Sequence, residues 1–404
     1  MHMKKLSSTY FFVFLLIVSL SSSCENTSSN NELQNKSYNT PNITDSSTSP
    51  SIQPIDTFHN ALGLLISGMD CSYFNTNNNI DTSFWNQYSN RVSESFLKMH
   101  ENRLEPMRKW KKTISSNNKL NDTSLLFYPF SGADFLHAYY LFPEANDYVL
   151  IAQEKIGDLP DFNSISSQKL KLYLNAVDHS LGDIYKRSYF ITKSMMADTK
   201  EGSELNGLLP LFYWFISRTD HEIINVSNVY VDSNSKLNTF TSSIENKLDK
   251  KIKGIKFLFR KKGDEKLKSI TYFNCDISNK GFNKNPEFKT YLNSIRTCNS
   301  FVKSASYLMH YSTFSDIRGI TLEKSNSILE DDTGIPFKYL NNGGWDINLF
   351  GVYVMPVKDF SESRFQKDLS EAYMNETFNK GKLPFSLGYH WGSKEQNQML
   401  YIKK

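Results

Sequence analysis

Residues 125–154 read LLFYPFSGADFLHAYYLFPEANDYVLIAQE. The apolar run 125–130 breaks at Ser131-Gly132, apolar residues then recur at helical spacing, and a second apolar run follows Pro143. This order is typical of a strand, a turn, a short helix and a second strand, which together form one β-α-β unit. Strands that are apolar on both faces are usually covered on both sides, so the unit is predicted to lie inside the domain.

The residues around this unit predict an α/β (or α+β) fold with a mixed sheet. Apolar and polar residues alternate on either side of Lys262-Gly263-Asp264, a pattern that predicts a β-hairpin over 255–275. Apolar residues at helical spacing predict several long amphipathic helices. These helices cover residues 83–114, 164–199, 301–309 and 314–329. Pro106 is expected to kink or split the first of them.

Composition divides the chain into three parts. Residues 1–23 are predicted to be a signal peptide, and residues 24–54 a disordered tether that is rich in Ser, Asn and Thr. Such a segment buries too little apolar surface to offset the entropy of ordering it. Residues 55–404 are predicted to form a single large globular α/β domain, for which 29 Phe and 22 Tyr in the chain supply a core.

The amino terminus has the build of an export signal. Lys4 and Lys5 precede an apolar run over 10–20, and the small residues 21–23 lead directly to Cys24. This order resembles the signal of bacterial lipoproteins. The resemblance implies that Cys24 becomes the first residue of the mature chain and carries fatty chains such as palmitate. An ordinary secretory signal or an uncleaved anchor is the alternative.

The expected location is the cell envelope, where the lipid would anchor the chain to a bacterial membrane and the folded part would face the periplasm or the exterior. Two or three acyl chains hold a protein durably, whereas one holds it marginally. The net charge of +4 falls to about +2 when Lys4 and Lys5 are removed, which argues against nucleic acid as a partner. The membrane is the predicted partner, and a protein or glycan partner is left open.

Ser131, Asp134 and His137 bring a hydroxyl, a carboxylate and an imidazole to one turn, the groups that nucleophilic or general-base catalysis requires. The alternative is a capping box, in which Ser131 caps a helix that has Asp134 near its start. Asp134 and His137 are three residues apart, so they could form a hydrogen bond on that helix. Gly132 and Glu154 are candidates for ligand binding because strand ends often hold ligands. No cofactor is predicted, because the turn lacks the Gly-x-Gly-x-x-Gly pattern.

The acidic turn 330–334 supplies two further catalytic candidates, Asp331 and Asp332. Contiguous carboxylates could bind a divalent cation, but the spaced loop of a calcium site is missing, so no metal is predicted. The triplet Asp332-Thr333-Gly334 also occurs in aspartic proteases, which need a second such aspartate that this chain lacks.

Two other groups of residues admit alternatives. Cys275 and Cys298 are the predicted disulfide pair because they are close in sequence, although buried free thiols are equally compatible with the pattern. The cations among residues 108–112 could bind an anionic lipid or a glycan. Cations also suit the solvated carboxyl end of a helix, and that interpretation is favoured.

Parts of the chain resemble a family of uncharacterised bacterial proteins. The blocks that carry the resemblance are 128–134 with 142–143 and 148–150, 331–336, and 383–385 with Gly388-Tyr389. The resemblance implies a shared fold and brings no activity. The predicted function is therefore a binding or scaffolding role in the envelope. The alternative is an envelope hydrolase in which Ser131, Asp134, His137 and the acidic turn share one pocket.

Overall fold

The computed structural model describes residues 53–78, 80–118, 123–187, 205–248, 251–303, 306–357, 360, 362–388 and 395–404. The predicted signal peptide, Cys24 and the tether up to residue 52 lie outside the described residues, as does the end of the helix predicted over 164–199.

The described strands form one mixed sheet. They are β1 Leu125–Pro129, β2 Asp147–Ala152, β3 His221–Val231, β4 Leu237–Phe240, β5 Lys253–Lys261, β6 Leu267–Asn274, β7 Cys298–Val302, β8 Ser325–Glu330, β9 Trp345–Gly351, β10 Asn379–Gly381 and β11 Asn397–Lys403. Their order across the sheet is β10-β9-β11-β8-β7-β1-β2-β6-β5-β3-β4.

The described helices cover the two faces of this sheet. They are α1 Thr57–Ile66, α2 Ser72–Asn78, α3 Thr82–Met99, α4 Glu105–Asn118, α5 Phe135–Leu141, α6 Ser167–Ser180, α7 Gly182–Arg187, α8 Leu209–Arg218, α9 Asn279–Lys284, α10 Pro286–Ser294, α11 Ser315–Lys324 and α12 Lys367–Met374. None of the helices in the described part of the chain has the length and apolar character that a membrane span requires.

Five parallel strands, β8-β7-β1-β2-β6, form the centre of the sheet, and antiparallel strands flank them on both sides. The central strand β1 is buried along its whole length because both of its faces are apolar. The predicted β-α-β unit and the predicted hairpin, formed by β5 and β6, are confirmed.

The alternation of side chains along β1 divides the core into two layers. Leu126 and Tyr128 pack with the helices from α1 to α8, whereas Leu125 and Phe127 pack with α9 to α12. Successive side chains of a strand point to opposite faces, which is why one short segment joins both layers.

Two helix predictions are wrong in part. Phe301 and Val302 end strand β7, where a helix was expected over 301–309. The helix expected over 314–329 ends at Lys324, and Ile328 and Leu329 belong to β8. Short apolar runs fit a buried strand as well as a buried helix, and burial on both faces removes the alternation that would distinguish them.

The long helix predicted over 83–114 is present with a local change at Pro106. A π-helical turn, His100–Leu104, joins α3 to α4, and Pro106 lies in the first turn of α4. Proline removes one helical hydrogen bond and crowds the carbonyl four residues earlier. The wider turn accommodates that carbonyl, so the helix continues. The helix predicted over 164–199 is divided at Leu181 within its described part.

The predicted disulfide is not formed, since Cys275 and Cys298 are both buried free thiols. Cys275 follows the end of β6, Cys298 begins β7, and β1 and β2 lie between these strands. Three strand spacings amount to about 14 Å. A disulfide requires Cα atoms within about 7 Å of each other, so proximity in sequence was misleading.

Candidate functional site

Polar side chains collect at the carboxyl ends of three neighbouring parallel strands. Strand β1 leads through a turn to Asp134, β7 is followed by Lys303, and β8 ends in Glu330 with Asp331 directly after it. The carboxyl ends of parallel strands meet at one edge of a sheet, and this edge is where open α/β folds bind ligands.

Asp134 is the centre of this cluster and is buried. It is the N-cap of α5, where its carboxylate accepts the backbone N–H of His137 at 3.2 Å. The same carboxylate contacts His137 Nδ1 at 2.7 Å and accepts from Tyr128 Oη at 3.1 Å and Lys303 Nζ at 2.9 Å. The Asp134 side chain thus connects helix α5, strand β1 and Lys303, which follows strand β7.

The predicted hydrogen bond between Asp134 and His137 is confirmed, but the proposed capping box is wrong. Asp134 caps the helix itself, whereas the Ser131 hydroxyl donates to the Gly132 carbonyl at 2.9 Å. Ser131 therefore lies in the turn before the cap. Its hydroxyl makes its described hydrogen bonds to backbone carbonyls, and it does not contact His137.

The ion pair in this cluster is formed by Lys303 and Asp134. Burial opposes the charged form of Asp134, yet the attraction and hydrogen bonds of His137 and Lys303 outweigh burial and hold the pKa of Asp134 well below its usual range. Burial lowers the pKa of His137, and Lys303 and Arg103 act in the same direction against Asp134. The imidazole attracts the carboxylate fully only when protonated. Because burial lowers the pKa of His137, we assign His137 as neutral. Lys303 is then the cation that pairs with Asp134.

The neutral imidazole of His137 has one defined orientation. Its Nδ1 faces the Asp134 carboxylate, which accepts hydrogen bonds only, so the ring proton is assigned to Nδ1. Nε2 is then a lone-pair acceptor, and it is buried with no hydrogen-bond partner in the described part of the chain. Buried polar atoms are normally paired, so Nε2 is an unsatisfied acceptor within the cluster.

Asp331 lies beside the lysine of this cluster. Its carboxylate accepts from the backbone N–H of Thr333 at 3.0 Å. A Cβ atom placed on Gly388 would lie 2.5 Å from Asp331 Oδ2 and 3.6 Å from Lys303 Cδ, so the two side chains approach the same point. Gly388 has φ +74, a conformation that glycine adopts without strain. Lys303 therefore pairs with Asp134, and the aliphatic part of its side chain lies near Asp331.

Asp332 belongs to a neighbouring network. It accepts from Tyr307 Oη at 2.6 Å and from Asn397 Nδ2 at 3.0 Å, and its backbone N–H donates to Asn397 Oδ1 at 2.8 Å. Burial lowers the pKa of His310, whose ring packs against Tyr307, to about 4. The structure thus brings Asp134, His137 and Asp331 close to Lys303, while Asp332 is held by β11 and the segment after β7.

Two bulky residues beside the cluster have left-handed backbone. Phe130, which follows β1, has φ 62, and Tyr307, which follows β7, has φ 53. Large side chains rarely adopt this conformation, and each instance costs about 1 to 3 kcal/mol. Such strain concentrates at functional sites, so its presence after two of the three strands is consistent with a functional edge.

Glu330 is a buried acidic residue on the face of β8 that lies opposite the cluster around Asp134. Its Oε2 accepts from the backbone N–H of Ile335 at 2.8 Å. Burial raises the pKa of Glu330 well above its usual range, and the charges of Asp331 and Asp332 add to this effect although the Ile335 N–H opposes it. Burial in the folded protein therefore favours the neutral form of this carboxyl.

Replacing Glu330 by glutamine is expected to remove a loss of stability at high pH. A pKa that folding raises makes a contribution that is complete below the unfolded value of about 4.3 and is lost as the pH rises through the folded value. Wild type should therefore lose stability relative to Glu330→Gln as the pH rises above about 4.3. Urea denaturation at a series of rising pH values measures the difference, with the exposed Glu323→Gln as control. Parallel curves for wild type and Glu330→Gln would contradict the assignment.

The remaining candidates lie apart from the lysine. Gly132 occupies the turn after β1 with φ 57. The carbonyl of Glu154 accepts from Tyr272 Oη at 2.6 Å and Asn274 Nδ2 at 2.9 Å. Among the described residues, no hydrogen bond or ion pair joins Glu154 to Asp134 or Lys303. Its position after β2 is that of a residue supporting the sheet end.

Sequence reasoning missed Lys303, Tyr128 and Gly388 as members of the cluster, and Tyr307 as a member of the neighbouring network around Asp332. The reason is that strand β7 was not predicted. A lysine on a helix over 301–309 would not be expected next to the carboxyl end of β1. A signal was present in the sequence, since Phe301-Val302 followed by a lysine has the form of a short buried strand with a polar residue at its carboxyl end.

The clefts of 500, 540 and 440 Å³ in the described part of the protein are lined by other residues than this cluster. Within the same described residues, no group of three or more His, Cys, Asp or Glu side chains is placed to hold a metal ion. The cluster is thus defined by hydrogen bonds and charge and not by an open cavity.

Fold and site together define a mixed α/β protein with a buried polar cluster at the carboxyl edge of its parallel strands. No family model, no curated protein and no solved structure matches the chain. The resemblance to bacterial lipoproteins at the amino terminus, and that of the folded region to uncharacterised bacterial proteins, stay predictions.

Proposed function

We propose that this chain is a lipid-anchored cell-envelope protein whose folded region binds a polar ligand at the carboxyl edge of its parallel strands. The signal of basic residues, apolar run and Cys24 supports the anchor. The folded part would face the periplasm or the exterior, with the membrane as its partner through the lipid and a glycan or protein as its ligand.

One observation carries the binding site. Lys303 pairs with Asp134, its side chain lies near Asp331, and these three residues come from the ends of three neighbouring strands. Buried charges are costly, so their convergence at the edge where α/β folds bind ligands favours a functional role over a structural one. Groups of both signs side by side suit a ligand rich in hydroxyl groups, which donate and accept hydrogen bonds.

The anchor is tested by changing Cys24. Cys24→Ala should leave the leader attached and abolish acylation, and treatment with the lipoprotein-processing inhibitor globomycin should leave the leader attached. Mass spectrometry of the amino terminus and membrane fractionation measure both effects. Cys71→Ala is the control, since it removes a different thiol of the folded part. Unchanged processing and fractionation in Cys24→Ala would contradict the proposed anchor.

The ligand site is tested with Asp331→Asn, which keeps the shape of the side chain and removes its charge. Soluble oligosaccharides from bacterial envelopes serve as probes in thermal unfolding. A ligand at about 100 times its dissociation constant should stabilise wild type by about 2.7 kcal/mol. Asp331→Asn should lose this effect, and the exposed Asp346→Asn should keep it. A stabilisation that persists in Asp331→Asn would place the ligand elsewhere.

A hydrolase is the second candidate, and the orientation of His137 favours it. The imidazole is neutral, Asp134 holds Nδ1, and Nε2 is left as an acceptor with no partner in the described part of the chain. This is the arrangement of a general base that takes a proton from an attacking water. Ser131 does not serve as nucleophile in this geometry, because its hydroxyl donates to backbone carbonyls.

His137→Asn separates the two candidates. The asparagine amide takes the place of Nδ1 and keeps the hydrogen bond to Asp134, while Nε2 is lost. Hydrolysis of chromogenic esters, phosphates and glycosides by wild type should fall by about 100-fold or more in this variant, the usual contribution of a general base. The exposed His179→Asn is the control. Hydrolysis that survives in His137→Asn would exclude this residue as the base.

A further inference from the structure

A cleft of about 500 Å³ lies at the opposite edge of the sheet, at the amino ends of β1 and β7. Its walls come from α4, the end of α5 and the loop before β2. The size is that of a site for a small molecule. The cleft shares no residue with the cluster around Asp134, so its ligand would be independent of the function proposed above.

The cleft has an excess of positive charge. Arg108, Lys111 and Lys112 line it from α4, and Glu144 is the one carboxylate among its described lining residues. Spacings of three and four residues place the three cations on one side of the helix. In the described part of the protein neither Arg108 nor Lys112 forms an ion pair with a carboxylate.

The sequence predicted that these cations lie at the solvated carboxyl end of a helix, but two of them do not. Lys111 is only 6 % exposed, its Nζ donates to Ser115 Oγ at 2.9 Å, and it lies 4.8 Å from the Phe142 ring centre. The Arg108 guanidinium lies 4.4 Å from the centre of the Tyr140 ring. Aromatic rings thus hold both side chains along the wall of the cleft.

Arg108 also has an unused donor. Its Nε is buried and has no hydrogen-bond partner among the described residues. A guanidinium binds carboxylate and phosphate groups through two parallel N–H donors, and leaving such a donor buried and unpaired is costly. The Ser115 hydroxyl, which accepts from Lys111, lines the same cleft and can donate as well. The hydroxyls of Ser116 and Thr123 also line the cleft but donate to backbone carbonyls.

We infer that this cleft binds a small phosphate-bearing anion, with the phosphate held by Arg108 and Lys112. Three cations and the Ser115 hydroxyl exceed what a single carboxylate requires and match a dianionic group with several acceptor oxygens. Such a group comes either from a free phosphate monoester or from the phosphomonoester headgroup of phosphatidic acid. Both sources present the same chemistry to the cleft.

Glycerol phosphate is the probe for the free ester, and its binding is measured by titration calorimetry. Wild type should bind it saturably. Arg108→Gln and Lys112→Gln should each weaken binding by about 10-fold or more, the usual loss for one charge-assisted hydrogen bond. Lys109→Gln is the matched control, because Lys109 is the neighbouring cation on α4 but its side chain is 75 % exposed and outside the cleft. It should change affinity by less than about 2-fold.

Vesicles of phosphatidic acid, compared with phosphatidylcholine vesicles, distinguish the headgroup source. Vesicle binding that Lys112→Gln weakens and Lys109→Gln does not would support the headgroup, and binding of glycerol phosphate with the same order of variants would support the free ester. Equal losses in Lys109→Gln and Lys112→Gln would overturn the proposal, as would no binding to either probe. Circular dichroism confirms folding, and the exposed Lys112 decides the result if Arg108→Gln is unstable.

Discussion

Replacing Lys303 by methionine should lower the free energy of unfolding by about 3 to 5 kcal/mol, because the buried carboxylate of Asp134 loses the cation that compensates it. Urea denaturation at pH 8 measures the loss. At this pH His137 is least able to take up the missing charge, since burial already lowers its pKa. The loss should be smaller at pH 5, where protonation of this imidazole is easier.

The control for this prediction is Lys289→Met, which breaks the ion pair with Asp316 at the surface. Partly exposed ion pairs contribute about 0 to 1 kcal/mol. The double variant Lys303→Met/Asp134→Asn removes both charges and should recover part of the loss. Equal losses in Lys303→Met and Lys289→Met would show that the buried pair is not a centre of stability.

Replacing Gly388 by alanine should cost about 2 to 4 kcal/mol, through positive φ and overpacking together. The new methyl group would lie 2.5 Å from Asp331 Oδ2, at a φ of +74. Either the aspartate or the segment that carries residue 388 must then move. Thermal and chemical denaturation measure the cost, and any ligand effect at Asp331 should fall in parallel.

Gly343→Ala provides the comparison, because Gly343 has φ +84 and no heavy atom within 4 Å of the new Cβ position. This variant carries the backbone strain alone, about 1 to 2 kcal/mol. The prediction is wrong if Gly388→Ala lowers the free energy of unfolding by no more than Gly343→Ala does. The segment around residue 388 would then not be tightly packed against Asp331 and Lys303.

The sequence predicted those parts of the fold whose patterns are local. Both strands of the β-α-β unit are bounded by turn residues and separated by a helix of the right length, and all three elements are present. The hydrogen bond between Asp134 and His137 follows from a three-residue spacing at the start of a helix, which is also local information.

The remainder depends on contacts between distant parts of the chain. Strand β7 has five residues, all buried, so neither length nor alternation separates it from a helix. Lys303 and Asp134 are 169 residues apart, and only the sheet order makes them neighbours. Similarly, the burial of Lys111 follows from how α4 packs on α5, which the basic pattern along α4 does not reveal.

The place of β11 in the sheet has a consequence for how the protein assembles. This strand follows all the other described strands along the chain, yet it lies between β8 and β9, and among the described strands it alone joins β9 and β10 to the rest of the sheet. Because the chain is synthesised from its amino end, β9 and β10 cannot join the sheet until residues 397–403 have emerged from the ribosome. In amide hydrogen exchange, these three strands should open together as one cooperative unit while the parallel centre stays closed.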